Sequence, residues 1–245
     1  MPEKRSLVAD FDDTIVSRAS EAIRAALHNT LIDSDRHLAS EEERRIIDQN
    51  WGSRSSVMFS ELFKDEASEL LADFKSFSPE KWHSIKNTYL TYMRSMYANH
   101  VRLIPGSIDV LQRLKLKKGY SIGITTATDA EVVEKNVFEK LNIPSDLIYP
   151  VISAESIPEE LAKPHPYTVL RILEAHNTRP EDSAMVGDSI NDVLAAKAAG
   201  IGQIIVVRTG LLEEKMTSGE ISYDFITKEL GATVIPDISH LESVL

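Results

Sequence analysis

The 245-residue sequence contains no cysteine. Disulfides and thiolate metal sites are therefore excluded. No apolar run approaches the length of a membrane span. Met1-Pro2-Glu3-Lys4-Arg5 lead directly into a short apolar segment. They lack the long apolar stretch and small-residue cleavage site of a signal peptide. These absences fit a cytoplasmic protein. Positive charge is also scarce, with 27 Lys and Arg against 38 Asp and Glu for a net charge of -11. So negative a surface repels nucleic-acid backbones and anionic membranes, and neither is expected as a partner. A site for an anionic substrate would need local cations to offset this field, and a metal ion is the obvious supply.

What is present is ordinary for a soluble globular chain, with 42% hydrophobic and 27% charged residues. Residues 6–10, Ser-Leu-Val-Ala-Asp, read as a buried strand ending in a carboxylate. From residue 18 the character turns helical. Ala19, Ile23, Ala26, Leu27 and Leu31 recur at helical spacing, and Ser40 to Glu43 fits a capping box. Val57, Leu62 and Phe63 suggest a further helix, and Leu70, Leu71 and Phe74 another. Ser78-Pro79 opens a segment through Trp82, Ile85, Tyr89 and Met93. Beyond Pro105-Gly106 strands and helices alternate. The strands are Tyr120–Thr126, a short one near Leu147–Ser153, Ser183–Gly187, Gln203–Val207 and Ala232–Ile235. Helices run past Leu111, past Val133, Val137 and Leu141 after a capping box at Thr128–Glu131, over Pro166–His176 and over Asp192–Ala199.

This alternation predicts an α/β core with a parallel sheet covered on both faces. Residues 1–17 and 100–245 form the core, and residues 18–99 form an inserted all-α cap. The insert leaves the core just after the first strand. Its ends therefore emerge where open α/β sheets bind ligands, and a helical insert there acts as a lid.

Four segments at predicted strand ends carry the chemistry. In Asp10-Phe11-Asp12-Asp13-Thr14, period-two alternation points Asp10 and Asp12 the same way. Converging carboxylates repel unless a cation or proton sits between them. The pair is a candidate metal and acid/base site, and an acidic turn is the plainer alternative. Ile122-Gly123-Ile124-Thr125-Thr126 offers hydroxyl and backbone donors, or is simply a strand end. Lys163-Pro164-His165-Pro166 places a lysine before a helix, where a solvated residue is the usual case. In Gly187-Asp188-Ser189-Ile190-Asn191-Asp192, Gly187 permits a sharp turn. Asp188 and Asp192 share a face if a helix begins there, and hard oxygens suit magnesium. Acidic residues at a helix start are the alternative.

In this order, the four segments resemble the haloacid dehalogenase superfamily of phosphohydrolases, over residues 6–16 and about 101–240. Lys163-Pro164-x-Pro166 and Gly187-Asp188-Ser189-x-x-Asp192 look most like its phosphoglycolate phosphatase branch. The resemblance implies a three-layer Rossmann-like core and a magnesium ion held by Asp10, the backbone carbonyl of Asp12, and Asp188. Asp192 would support the metal directly or through water. Asp10 would be the nucleophile and Asp12 the general acid/base. Thr125, Thr126 and Lys163 would hold the transferring oxygens. Asp13 stands where the family often has Gly, and its charge is expected to tune the site.

The long interval from Asp10 to Thr125 places the lid between the first two motifs, as in the helical cap class. Gly52-Ser53-Arg54-Ser55 resembles a cap segment that in sugar phosphomutases and small-molecule phosphatases places an arginine near the substrate, so Arg54 is a candidate to grip a carboxylate or second phosphate. A solvated arginine at a helix start is the alternative. Trp82, Tyr89, Tyr92 and Tyr97 read as cap core. The expected activity is magnesium-dependent hydrolysis of a small phosphorylated metabolite, such as phosphoglycolate or a sugar phosphate, by a monomer or homodimer. A sugar phosphomutase and a non-catalytic phosphate-binding protein are the alternatives.

Overall fold

The computed structural model describes residues 4–51, 55–63, 79–134 and 138–245. Its centre is a six-stranded sheet of order β5-β4-β1-β6-β7-β8 in which every pairing is parallel. The strands are β1 (Arg5–Ala9), β4 (Tyr120–Thr126), β5 (Val151–Ser153), β6 (Ala184–Gly187), β7 (Gln203–Val207) and β8 (Thr233–Ile235). Strand β1 is central, with Leu7 beside Ile122 of β4 and Ala184 of β6.

Period-two alternation explains why both faces are covered. Leu7 and Ala9 pack into the cluster holding Val110 and Leu111 of helix α5 (Ser107–Lys118). Val8, between them, packs the other way. It joins Val169 and Ile172 of α7 (Tyr167–His176) and Ala195 and Ala196 of α8 (Ile190–Ala199). All three β1 residues are fully buried, as a central parallel strand requires.

Between β1 and β4 the chain is largely helical. Helices α1 (Ala19–Asp33), α2 (Ser40–Gln49), α3 (Ser55–Leu62) and α4 (Pro79–His100) lie there. Two short strands, β2 (Val16–Ser17) and β3 (Arg102–Leu103), pair antiparallel, Val16 opposite Leu103. The chain thus leaves and re-enters side by side, immediately past Asp10–Asp13. Helix α1 packs along α4. Phe59 holds this helical layer together, with ring centroids 6.2 Å from Phe63, 6.0 Å from Trp82 and 5.2 Å from Tyr89.

Several local expectations need correction. Neither predicted capping box forms. Helix α2 starts after Ala39, and its first turn has no side-chain cap. Asp129 caps α6 (Ala130–Val133), accepting from the backbone N–H of Glu131 at 2.9 Å, and Leu141 lies in a turn. Helix α8 starts at Ile190, two residues before the expected Asp192, because Ser189 and Asp192 form a reciprocal cap. The strand expected near Leu147–Ser153 is confined to Val151–Ser153. The helix expected at Leu70, Leu71 and Phe74, and the residue Val137, lie outside the described residues.

Candidate active site

The carboxyl ends of β1, β4 and β6 converge on one pocket, with Lys163 arriving from the turn before α7. Strand β1 stops at Ala9, so Asp10 and Asp12 are not brought together by strand alternation. They lie in the turn that follows. Asp10 keeps one ladder bond, its N–H donating to Val186 at 2.9 Å. Both carboxylates line the pocket.

Asp13 completes the turn in the left-handed region, at φ 53°, which Asp tolerates better than most residues. Its carboxylate accepts from the N–H groups of Ala19 at 3.0 Å and Ser20 at 2.8 Å. It therefore caps the N-terminus of α1, whose partial positive charge it complements. The residue following Asp10 and Asp12 in this turn ties down the first helix of the insert.

Lys163 is buried and bridges two acids, 2.5 Å from Asp10 Oδ1 and 2.7 Å from Asp192 Oδ1. Burial alone would lower its pKa. The charges of Asp10 and Asp192 outweigh burial and hold it above the ordinary lysine range, so it stays cationic. Asp10, Asp188 and Asp192 are all buried, with ligand atoms within 4.8 Å of one another. Burial pushes Asp10 well above the usual carboxylate range against the pull of Lys163, and Asp192 and Asp12 add repulsion. Asp188 is raised by burial, then by Asp10, Asp192 and Asp13. A cluster of hard oxygens with more negative charge than one lysine can balance fits a divalent cation. The other oxygen of Asp192 is engaged by Ser189, at 3.1 Å from the N–H and 2.5 Å from the hydroxyl.

Two glycines make this crowding possible. Gly187 has no left-handed backbone. A Cβ there would stand 2.6 Å from Asp192 Cβ, so its bare backbone makes room for that carboxylate. Gly210, at φ 55°, lets the start of α9 (Gly210–Ser218) approach Asp188 and Asp13. A Cβ there would lie 2.6 Å from Asp188 Oδ2.

The expected threonines divide differently from the sequence reading. Thr125 donates its hydroxyl to Thr168 of α7 at 2.8 Å, and only its carbonyl faces Lys163, at 3.4 Å. Thr126 instead donates to Asp12 at 3.1 Å. Asp12 also accepts from Thr128 at 2.7 Å and from Tyr97 of α4 at 2.6 Å. Burial raises its pKa, and the Tyr97 and Thr128 hydroxyls pull it back.

Three residues of this constellation were not singled out as functional. Thr128 read as a helix cap, and Tyr97 as cap core. Glu155, just past β5, carried no signal. Its carboxylate accepts from the Ser55 N–H at 2.9 Å, the Ser55 hydroxyl at 2.6 Å and Lys86 at 3.2 Å. Only Thr128 had a usable clue, lying two residues beyond a strand-end threonine. Arg54 lies outside the described residues.

Residues 7–206 match the haloacid dehalogenase-like hydrolases. The match covers most of the chain, and the chain belongs to that family. Pyrophosphatase PpaX of Bacillus mycoides is 23% identical over 202 residues, 82% of each chain. A predicted phosphoglycolate phosphatase from Haemophilus somnus superposes with a TM-score of 0.72 at 18% identity, covering 100% of this chain and 99% of that one. CbbY from Rhodobacter sphaeroides, solved in complex with phosphate, gives 0.71 at 19% identity, covering 98% and 96%. The family is one of hydrolases, and the protein is an enzyme of that family.

Proposed function

We propose that the chain hydrolyses small phosphomonoesters through a phosphoryl-aspartate intermediate on Asp10. The observation that carries this reading is the Lys163 bridge: a fixed cation beside Asp10 in a buried acidic pocket. Asp10 attacks phosphorus in line while the bond to the ester oxygen breaks. Asp12 gives its proton to that departing oxygen. It then takes a proton from the water that attacks phosphorus and breaks the bond to Asp10, releasing phosphate. Lys163 offsets charge on the transferring oxygens. Thr126, Thr128 and Tyr97 orient Asp12. Thr126 is the better candidate of the two expected threonines for a place beside the reacting groups, because the Thr125 hydroxyl is engaged by Thr168.

Asp10, the carbonyl of Asp12 and Asp188 would hold magnesium. Asp192, held by Lys163 and Ser189, would support the metal directly or through water. Bound magnesium supplies charge neutralisation between the anionic nucleophile and the anionic phosphate. Residues 18–99 act as the cap that excludes water during turnover.

The test is phosphate release from p-nitrophenyl phosphate in the presence of magnesium. Wild type turns over, while Asp10→Asn folds but does not. Full activity in that variant or in excess chelator overturns the mechanism. Isomerised sugar phosphate in place of free phosphate assigns a mutase instead.

A further inference from the structure

The roof of the pocket has a chemical character that the catalytic acids do not explain. Ile23 of α1, Trp51, Met58 of α3, Leu90 and Met93 of α4, and Val132 of α6 line it with apolar side chains. Among the described residues, Lys163 is the one cation lining this pocket, and its charge is engaged by Asp10 and Asp192.

Tyr89 sits within this apolar wall. It is only 8% exposed, lines the pocket and, among the described residues, has no hydrogen-bond partner for its hydroxyl. The hydroxyl keeps some accessible surface, so a ligand oxygen can reach it. Its ring is fixed edge-on to Phe59, with centroids 5.2 Å apart and planes at 82°, so the hydroxyl is positioned before any ligand arrives. Tyr89 lines the same pocket as Asp12, to which the proposed mechanism assigns the departing alcohol oxygen. The space is small: the cavity is about 60 Å³, where one water needs about 10–15 Å³.

We propose that this pocket selects phosphomonoesters of a short, uncharged and mainly apolar alcohol, and that the Tyr89 hydroxyl recognises an oxygen on that alcohol. A carboxylate on the substrate would meet the Asp129 carboxylate and, among the described lining residues, no cation that is not already paired. A cationic group would lose hydration against six apolar side chains, beside a Glu155 already paired with Ser55 and Lys86. The inference rests on the hydrolase reading above and narrows its substrate.

The experiment compares kcat/KM for four alkyl esters with magnesium: butyl phosphate, its analogue ending in a hydroxyl group, phosphoglycolate and phosphoethanolamine. The two uncharged esters are expected to exceed both charged ones by at least about tenfold, within the range that pocket contacts supply. Tyr89→Phe should reduce the ratio of the hydroxyl-ended ester to butyl phosphate by about fivefold, chiefly through KM, as loss of one hydrogen bond predicts. Leu90→Lys, at a partly buried position, should shift preference toward phosphoglycolate. A wild-type preference for phosphoglycolate or phosphoethanolamine, or an unchanged ratio in Tyr89→Phe, overturns the proposal. Hydrolysis of p-nitrophenyl phosphate separates the two failures. If it proceeds while the preference is reversed, only this inference fails. If it does not proceed, the hydrolase reading fails and this inference with it.

Discussion

Tyr97 donates its hydroxyl to Asp12 Oδ1 over 2.6 Å, linking residues 85 positions apart in the chain. The bond joins the helix that carries Tyr89, Leu90 and Met93 to the proposed proton shuttle. The same hydroxyl also lies 3.1 Å from Thr128 Oγ1. Asp12 is therefore oriented from the helical layer and from the β4 turn together.

Removing that link should affect chemistry more than binding. Tyr97→Phe leaves Thr126 and Thr128 on Asp12 and takes away one donor. The expected result is a fall of about tenfold in kcat, equivalent to about 1.4 kcal/mol of barrier, with KM little changed. Steady-state kinetics on p-nitrophenyl phosphate checks it. A KM effect with unchanged kcat would mean that Tyr97 acts only in packing.

Magnesium should stabilise the fold independently of turnover. Burial and mutual repulsion raise Asp10 and Asp188, and a bound cation relieves that repulsion. At about a hundredfold excess over Kd, binding contributes about 2.7 kcal/mol. For a chain of this length that is a rise in Tm of about 5–10 °C. Thermal denaturation with and without magnesium measures it. In Asp188→Ala the magnesium-dependent rise should largely disappear.

Glu155 should make stability depend on pH. Burial works to raise its pKa, but the Ser55 hydroxyl, the Ser55 N–H and Lys86 together hold it below the usual glutamate value. A lowered folded pKa gives stability that is present above the unfolded glutamate value, about 4.3. That stability is lost as pH falls through the lower folded value. Glu155→Gln should cost about 1.5–3 kcal/mol at pH 7, the range for hydrogen bonds to charged groups. The gap to wild type should close as pH falls below about 4. Denaturant melts at several pH values decide this; a gap independent of pH would assign the loss to packing.

Thr125 and Thr126 should separate cleanly. Thr125→Val removes the bond to Thr168 and should lower stability by about 1 kcal/mol with kcat nearly preserved. Thr126→Val removes a donor from Asp12 and should lower kcat severalfold. Equal kinetic losses in both variants would contradict the observed division of their hydroxyls.

The sequence by itself determined the α/β alternation, the helical stretch between the first two strand ends, and the residues Asp10, Asp12, Lys163, Asp188 and Asp192. The alternation was legible because periodicity is a local property of the chain, and the five residues were legible through the order of the four segments and its resemblance to a known family. The parallel order of β5-β4-β1-β6-β7-β8 then brought those strand ends into one pocket. Only the tertiary structure decided that Thr125 turns to Thr168 while Thr126 and Thr128 turn to Asp12. It also decided that Asp13 caps α1, that Glu155 meets Ser55 and Lys86, and that Tyr97 reaches Asp12. Each is a contact made by side-chain direction across elements distant in sequence, and neither periodicity nor motif spacing encodes that direction.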